Sequence, residues 1–310
     1  MQAIRSFREL IEHLQAKVEQ KTVAVICPYD EPTEYAILRS LNEGVSHFIL
    51  IGDRTLIPEA LLSPDCKRDI TLLDIKDSKE AAQRGVQLVR QNQVDILMKG
   101  LINTDDLLKI ILDKEEGLLP QGKILSHLAV LEIPTYPKLL FFSDAAVIPR
   151  PNLLQREKII EYAIKVCHQF GIHTPKVSLI HFTEKASPKF PISMDYVYLV
   201  EQAENGAFGE AIIDGPLDVK TSCDYKSGEI KGISSPINGQ ADVLIFPNIE
   251  SGNTFYKSVS LFANATMAGV LQGTCCPVVL PSRSDSGLSK YYSIAMACLI
   301  AEEKNENSSH

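Results

Sequence analysis

Short apolar segments alternate along the chain with segments whose apolar residues recur at helical spacing. The first helical segment runs from Phe7 to Val18, and the continuous apolar run 22–27 follows it. Runs this short and continuous are typical of strands that are buried on both faces of a sheet. The pattern therefore predicts an α/β fold, with mostly parallel strands covered by helices.

The same alternation predicts further strands and helices in both halves of the chain. The predicted strands are 47–51, 70–73, 94–98, 139–142, 176–180, 210–213, 242–246, 269–271 and 277–280, and the predicted helices are 32–42, 78–91, 105–112 and 153–170. Ligands of such sheets bind beyond the carboxyl ends of the strands. We therefore expect the functional residues in loops that follow strands.

At 310 residues the chain exceeds the length at which one hydrophobic core keeps growing, so two lobes with a cleft between them are expected. The proline-containing stretch 147–152 is the one candidate for a joint between lobes. We therefore place the lobe junction there.

Composition and charge exclude several classes of protein. A net charge of -8 without any basic run disfavours a nucleic-acid or anionic-membrane partner, and no apolar run reaches the roughly 18 residues of a membrane span. The seven cysteines form no CxxC pair, and neither HExxH, GxGxxG nor a P-loop occurs. We expect a cytoplasmic protein without a bound metal.

Three loops after predicted strands offer groups that bind anions. In the first, Lys99 and Gly100 end a strand, and Asn103 or Thr104 can cap the next helix. In the second, 246–257, the chain turns through Ser-Gly-Asn into a helix that carries a lysine. The same second loop is also compatible with an ordinary helix cap and a solvated lysine.

The third loop follows the predicted strand 277–280 and contains Ser282, Arg283 and Asp285. A guanidinium is a planar fork suited to phosphate, and the hydroxyl is a hydrogen-bond donor. The alternative is a surface arginine paired with Asp285. Among the histidines, His127 is the one followed by an apolar run that places it near a possible cleft.

Taken together, these segments closely resemble the phosphate acetyl/butyryl transferase family, and most closely its phosphate butyryltransferase branch. The likeness spans nearly the whole chain, because no single match is specific but many occur in order. It covers 49–53, 98–104, 125–130, 214–217, 241–243, 247–257 and 282–286.

The resemblance implies the reaction acyl-CoA plus phosphate giving acyl phosphate plus CoA, with coenzyme A as co-substrate and no permanently bound cofactor. It also implies a two-lobed fold similar to isocitrate and isopropylmalate dehydrogenases, in which the last helix returns to the first lobe. The lobes would be 1–146 with about 286–310, and 147–285. A homodimer is usual for the family.

The resemblance further implies the residues of the site. It places Ser282 and Arg283 at the reacting thioester. The candidate catalytic residues are Ser282, Arg283, Asp285 and His127, and the candidate phosphate and CoA-binding residues are Lys99, Gly100, Asn103, Thr104, Ser126, Gly252, Asn253, Tyr256 and Lys257. The resemblance favours four- and five-carbon acyl groups over acetyl.

Two positions depart from the family pattern. An acidic residue expected seven positions after Ser282 is Ser289 here, so Asp285 or His127 is the candidate proton acceptor. The arginine expected on the helix after the Lys-Gly loop is Lys109, which keeps the charge and loses the bidentate fork.

Three other functions remain open at this point. One is phosphate acetyltransferase activity, and the second is an NAD- and metal-dependent dehydrogenase of the same fold group, which needs clustered metal ligands. The third is a non-catalytic protein that binds CoA or acyl phosphate. Direct attack of phosphate on the thioester is preferred to a covalent acyl-Ser282, because no base follows Ser282 at an identifying spacing.

Overall fold

The computed structural model describes residues 2–66 and 68–301, which form two compact units. The central unit comprises the chain up to Ser6 together with Ser126–Thr266. The terminal unit comprises Phe7–Leu125 together with the chain from Met267 onward.

The strands are, in chain order, β1 Lys21–Ile26, β2 Ser46–Gly52, β3 Ile70–Asp74, β4 Ile96–Lys99, β5 Ser126–Glu132, β6 Leu140–Ser143, β7 Lys176–Ile180, β8 Ile212–Leu217, β9 Val243–Ile245, β10 Thr266–Gln272 and β11 Val278–Val279. The helices are α1 Phe7–Gln15, α2 Glu31–Asn42, α3 Ser78–Arg90, α4 Thr104–Ile111, α5 Leu153–Gln169, α6 Pro191–Glu204, α7 Val219–Cys223, α8 Tyr225–Lys231, α9 Ile249–Phe262 and α10 Gly287–Ala301. Short 3-10 turns lie at Arg54–Leu56, Glu59–Leu62 and Pro64–Cys66.

The sheet of the terminal unit has the order β3-β2-β1-β4-β11-β10. Its strands run parallel except for β10, which is antiparallel to β11. Strand β4 is buried along its whole length, as a parallel strand covered on both faces must be. Helices α1 and α2 pack against the last helix, α10, which is almost entirely buried.

The sheet of the central unit has the order β5-β6-β9-β7-β8. Only the pair β5–β6 within it is antiparallel. Helix α5 packs on strands β5, β6 and β9, and α6 packs on β8. The predicted α/β class is therefore confirmed, in both units.

Side-chain caps mark where several helices begin. Asp30 accepts a hydrogen bond from the backbone N–H of Thr33 at the start of α2, and Asn152 forms a capping box with Gln155 at the start of α5. Each cap satisfies N–H groups that have no partner inside the helix. The five helices α1 to α5 begin within one position of their predicted starts.

The predicted lobe boundaries lie at 146 and 286, whereas the chain passes from one unit to the other after 125 and after 266. The reason is strand pairing. Residues 126–146 contain β5 and β6, and β6 pairs with β9 of the central unit. Residues 267–285 contain β11, which pairs with β4 of the terminal unit. The proline-containing stretch 147–152, predicted as the joint, lies inside the central unit.

Some elements were not predicted. The apolar run after Leu125 forms strand β5, and helices α6, α7 and α8 lie in segments for which no element was predicted. Helix α1 ends at Gln15, three residues before the predicted end at Val18, which is fully exposed.

Candidate functional site

In the terminal unit, the carboxyl ends of β4 and β11 lie side by side. Val279 is the register partner of Met98, so Lys99 at the end of β4 and the loop after β11 emerge at the same edge of the sheet. This is the edge at which ligands of parallel sheets bind. The Lys-Gly loop and the Ser-Arg loop therefore lie together at one edge of this sheet.

Gly100 allows the Lys-Gly loop to pass against the end of β1. A Cβ atom at this position would lie 2.3 Å from the carbonyl oxygen of Cys27. The Gly100 N–H donates to the Ile26 carbonyl at 2.8 Å, and the Leu101 N–H donates to the Cys27 carbonyl at 2.7 Å. The N–H groups of Gly100 and Leu101 are therefore used within the protein, and the Lys99 side chain is the group that this part of the loop offers to a ligand.

A small cavity of about 60 Å³ lies at this edge. It is lined by Asp30, Pro32, Lys99, Gly100, Leu101, Pro281, Ser282, Arg283 and Lys290, and we call it the cation cavity. Sites for drug-sized ligands are about 300–1,000 Å³, so this volume suits a small inorganic anion and not a whole coenzyme.

Lys99 is buried in the wall of the cation cavity, with 2% of its surface exposed. Its Nζ donates to the Gly100 carbonyl at 3.3 Å. Burial lowers the pKa of the Lys99 ammonium, and the charges of Lys290 and Arg283 lower it further, while Asp30 and Asp285 act in the opposite direction. A buried ammonium beside other cations is stabilised when an anion is present.

Two residues of the cavity, Lys290 and Asp30, were missed by the sequence analysis. The Lys290 Nζ donates to Asp30 Oδ1 at 2.5 Å and to Thr33 Oγ1 at 2.9 Å, which joins α10 to the start of α2. Burial alone would raise the pKa of Asp30, but the hydrogen bonds from Lys290 and Thr33 lower it below its usual value. A signal existed, because Lys290 is the single charged residue of α10.

The Ser-Arg loop is held by Asp285. The Ser282 N–H donates to Asp285 Oδ2 at 2.8 Å, and Asp285 is buried. The sequence left open a surface ion pair between Arg283 and Asp285. Within the part of the chain that the structure describes, these two side chains form no ion pair. In the part of the chain that the structure describes, no protein group accepts a hydrogen bond from the Arg283 guanidinium, which is exposed.

The Ser282 hydroxyl lies 3.1 Å from the Ser284 hydroxyl and accepts a hydrogen bond from the Ser284 N–H at 3.4 Å. Within the described residues no histidine or lysine forms a hydrogen bond with Ser282 Oγ. A serine nucleophile normally has such a base within reach. This geometry suits a hydroxyl that donates a hydrogen bond better than one that attacks.

Helix α4, which follows the Lys-Gly loop, begins one residue before its predicted start at 105. Asn103 is its N-cap and accepts hydrogen bonds from the N–H groups of Asp105 and Asp106, and Thr104 is the first helical residue. Lys109, expected in place of the family arginine, has a side chain that is 77% exposed and lies 3.9 Å from Asp106. It does not line the cation cavity.

In the central unit, α9 begins earlier than predicted. Its N-cap is Asn248 and not Ser251 or Asn253, and the Gly252 N–H already donates to the Asn248 carbonyl at 3.2 Å. The Gly252 N–H group is therefore used within the helix. A Cβ atom on Gly252 would lie 2.4 Å from the Asp144 carbonyl oxygen, so this glycine allows close packing.

The Asn253 side chain donates from Nδ2 to the Ala145 carbonyl at 3.1 Å. The Lys257 ammonium lies 4.3 Å from the centre of the Tyr256 ring, a cation–π distance. The first contact fixes α9 on the loop after β6. The second contact holds the Tyr256 and Lys257 side chains against each other.

Ser126 and His127, at the start of β5, are both buried. The His127 N–H donates to Asp144 Oδ2 at 3.2 Å, and the Ser143 hydroxyl donates to the His127 carbonyl at 2.9 Å. Among the described residues, the Ser126 hydroxyl has no hydrogen-bond partner.

Asp144, which the sequence analysis did not single out, organises the loop after β6. Its carboxylate accepts hydrogen bonds from the N–H groups of His127, Ala146, Val147 and Ile148. We call residues 143–148 the Asp144 turn. A carboxylate that accepts several backbone N–H groups is fully used in holding a loop.

Residues 2–66 and 68–301 contain no group of three or more His, Cys, Asp or Glu side chains suited to a metal ion. Across the same residues, no helix combines the length and the apolar character needed to cross a bilayer.

Comparison with known proteins decides the family. The family model described as "Phosphate acetyl/butaryl transferase" matches residues 76–298. The chain belongs to this family. It is 36% identical over 302 residues to the phosphate butyryltransferase of Clostridium acetobutylicum, an alignment that covers 97% of this chain and 100% of that protein.

Solved structures agree with the family assignment. A branched-chain phosphotransacylase from Enterococcus faecalis V583 superposes with a TM-score of 0.81 at 32% identity, covering 91% of this chain and 99% of that one. A 4-hydroxythreonine-4-phosphate dehydrogenase from Klebsiella pneumoniae has a TM-score of 0.52 at 11% identity, covering 92% and 99%. The second likeness concerns the fold alone, and it agrees with the predicted likeness to a dehydrogenase fold.

Proposed function

We propose that this member of the phosphate acetyl/butyryl transferase family transfers a short acyl group between coenzyme A and inorganic phosphate. The observation that carries the proposal is the cation cavity, in which Lys99, Arg283 and Lys290 surround a space of small-anion size beside the Ser282 hydroxyl. For this reaction the protein has to supply a binding site for phosphate and a hydrogen-bond donor for the thioester.

In the proposed reaction, an oxygen of hydrogen phosphate attacks the carbonyl carbon of the thioester. The new C–O bond forms as the C–S bond breaks, and the proton of hydrogen phosphate ends on the sulfur of CoA. Two anionic reactants must meet, so cations that hold the phosphate lower the barrier by positioning and by charge. Arg283 binds the phosphate, and the Ser282 hydroxyl donates to the carbonyl oxygen or to the sulfur.

Direct transfer is preferred to a covalent acyl-Ser282. The geometry supports this preference, because the hydrogen-bond partner of the Ser282 hydroxyl is another serine and not a base. A covalent route would exchange labelled CoA into acyl-CoA in the absence of phosphate. Direct transfer permits no such exchange, so its detection would contradict this part of the proposal.

The finer assignments are part of the same proposal. Coenzyme A is the co-substrate, the preferred acyl groups are butyryl and branched short chains, and the protein is a cytoplasmic homodimer. The family description includes both acetyl and butyryl transfer, while the likeness to a butyryltransferase and to a branched-chain phosphotransacylase favours the longer chains. Asp285 and His127 stay predictions as proton acceptors.

The experiment is a panel of acetyl-, propionyl-, butyryl-, isobutyryl- and isovaleryl-CoA, assayed for thiol release with and without phosphate. We expect release that requires phosphate, with the highest kcat/KM for a four- or five-carbon chain. The acyl phosphate product is trapped with hydroxylamine. Absence of phosphate-dependent release with every acyl-CoA would contradict the function, and a preference for acetyl-CoA would contradict the assigned chain length.

A further inference from the structure

The cation cavity contains more positive than negative charge. Lys99, Arg283 and Lys290 line it, and Asp30 is the one acidic side chain in its wall. Lys99 and Lys290 are only 2% and 3% exposed, so water solvates these ammonium groups poorly. A doubly charged anion in the cavity would make the set of charges neutral.

The donors of these cations outnumber the acceptors that the protein gives them. An ammonium has three donors and a guanidinium has five. In the described part of the chain, Lys99 has one acceptor, the Gly100 carbonyl, and Lys290 has two, Asp30 and Thr33. Arg283 has none there. The unused donors belong to groups that share one small cavity.

Lys290 differs from the other two cations because it is held in place by an acidic side chain, Asp30. Asp30 accepts from Lys290 and from the Thr33 hydroxyl, at 2.5 Å and 2.7 Å, and also caps α2 through the Thr33 N–H. A lysine on a flexible stem loses less entropy on binding a ligand when its position is already fixed. Asp30 and Thr33 therefore preorganise the ammonium.

We propose that Lys290 binds the phosphate of the reaction, together with Lys99 and Arg283, and that Asp30 is the residue that positions it. The inference rests on the proposed function and adds a residue to its phosphate site. The proposal makes Lys290 of α10 the third cation of that site, beside Lys99 and Arg283. Lys109 of α4 is largely exposed and does not line the cavity.

The test measures binding of inorganic phosphate alone, by calorimetry and by thermal stabilisation, in the full-length protein without acyl-CoA. Chloride at matched ionic strength serves as the reference salt. The informative variant is the double substitution Asp30→Asn with Lys290→Met, because it removes one charge of each sign and leaves no buried carboxylate without its partner. Lys79→Met, on the exposed surface of α3, is the matched control.

We expect the double variant to bind phosphate about tenfold to a hundredfold more weakly than the wild type, because a hydrogen bond to a charged group is lost. The KM for phosphate should rise by a similar factor, with a much smaller change in the KM for acyl-CoA. Lys79→Met should match the wild type in both measurements.

Unchanged phosphate affinity in a folded double variant would overturn the proposal, because the ion pair would then only join α2 to α10. If the double variant does not fold, Asp30→Asn alone is used, and it should weaken phosphate binding by releasing Lys290; unchanged affinity there overturns the proposal equally. Failure of the proposed function is seen separately, as absence of CoA release by the wild type.

Discussion

Two regions at strand ends, the cation cavity and the Asp144 turn, differ in how their hydrogen-bonding groups are used. In the cation cavity of the terminal unit, Lys99 and Arg283 have donors that the described residues do not satisfy. In the Asp144 turn of the central unit, one carboxylate takes four backbone N–H groups, and α9 packs directly on the turn through Gly252.

The comparison shows that a motif at a strand end is not by itself a ligand site. A ligand needs donors that the protein has left unused, and it needs charge that the protein has not neutralised. The cation cavity meets both conditions. The Asp144 turn and the start of α9 are occupied with one another, so Gly252 and Asn253 contribute packing and hydrogen bonds within the protein.

The largest expected effect is that of Arg283→Ala. Removal of a preorganised donor typically costs about 100- to 1000-fold in kcat. Because the guanidinium has no acceptor among the described residues, the melting temperature should stay unchanged. The measurement is phosphate-dependent CoA release beside thermal unfolding.

Arg8→Ala is the control for Arg283→Ala. Arg8 is an exposed arginine of the same unit that pairs with Glu12 on α1, and surface pairs of this kind are worth under about 1 kcal/mol. It should retain full activity. An Arg283→Ala enzyme with wild-type kcat would break the comparison, because the unused donors of the cavity would then have no function.

A smaller effect, on stability, is expected from Gly252→Ala. The new methyl group would approach the Asp144 carbonyl to 2.4 Å, and overpacking of this kind costs about 1–3 kcal/mol of unfolding free energy. Gly228→Ala in α8 is the control, because a Cβ there meets no atom closer than 3.9 Å and alanine favours the helix. Chemical denaturation gives both values.

The Gly252→Ala result also tests the role of that residue. A variant of wild-type stability that has lost phosphate or CoA binding would show that Gly252 serves a ligand. The comparison between the cation cavity and the Asp144 turn would then be wrong for the central unit.

The smallest effect concerns the pH dependence of phosphate binding. In the proposed phosphate site the protonated Lys99 is the binding form, and its pKa is lowered by burial and by Lys290 and Arg283. Affinity should therefore fall as the pH rises through that lowered pKa. Asp30 and Asp285 counteract the lowering, so Asp30→Asn should move the alkaline loss of affinity to a lower pH.

The check is the dissociation constant of inorganic phosphate measured by calorimetry between about pH 7 and pH 10, a range below the usual lysine value of about 10.4. Glu80→Gln, a substitution at an exposed position of α3, should have the same pH profile of phosphate affinity as the wild type. An alkaline limb that moves to higher pH in Asp30→Asn would contradict the assignment to Lys99.

Much of the fold could be predicted from the sequence because the signals are local. Continuous apolar runs predicted the buried strands β1 and β4, and short polar caps such as Asn103 predicted where a helix begins. The start of α9 was wrong, since Asn248 caps the helix before the Ser-Gly-Asn stretch that suggested its start. Asn248, Ser251 and Asn253 are all residue types that cap helices, and the local pattern does not choose between them.

By itself, the sequence determined the α/β class, the family, and the position of Lys99, Ser282 and Arg283 at or just after the ends of strands. These follow from residues that are adjacent in the chain or from motifs in a fixed order. Only the tertiary structure decided which charges share the cation cavity. Lys290 and Asp30 are 260 positions apart, and they meet because α10 packs on α2. Contacts of this kind depend on how helices pack, which is set by the whole core and not by local sequence.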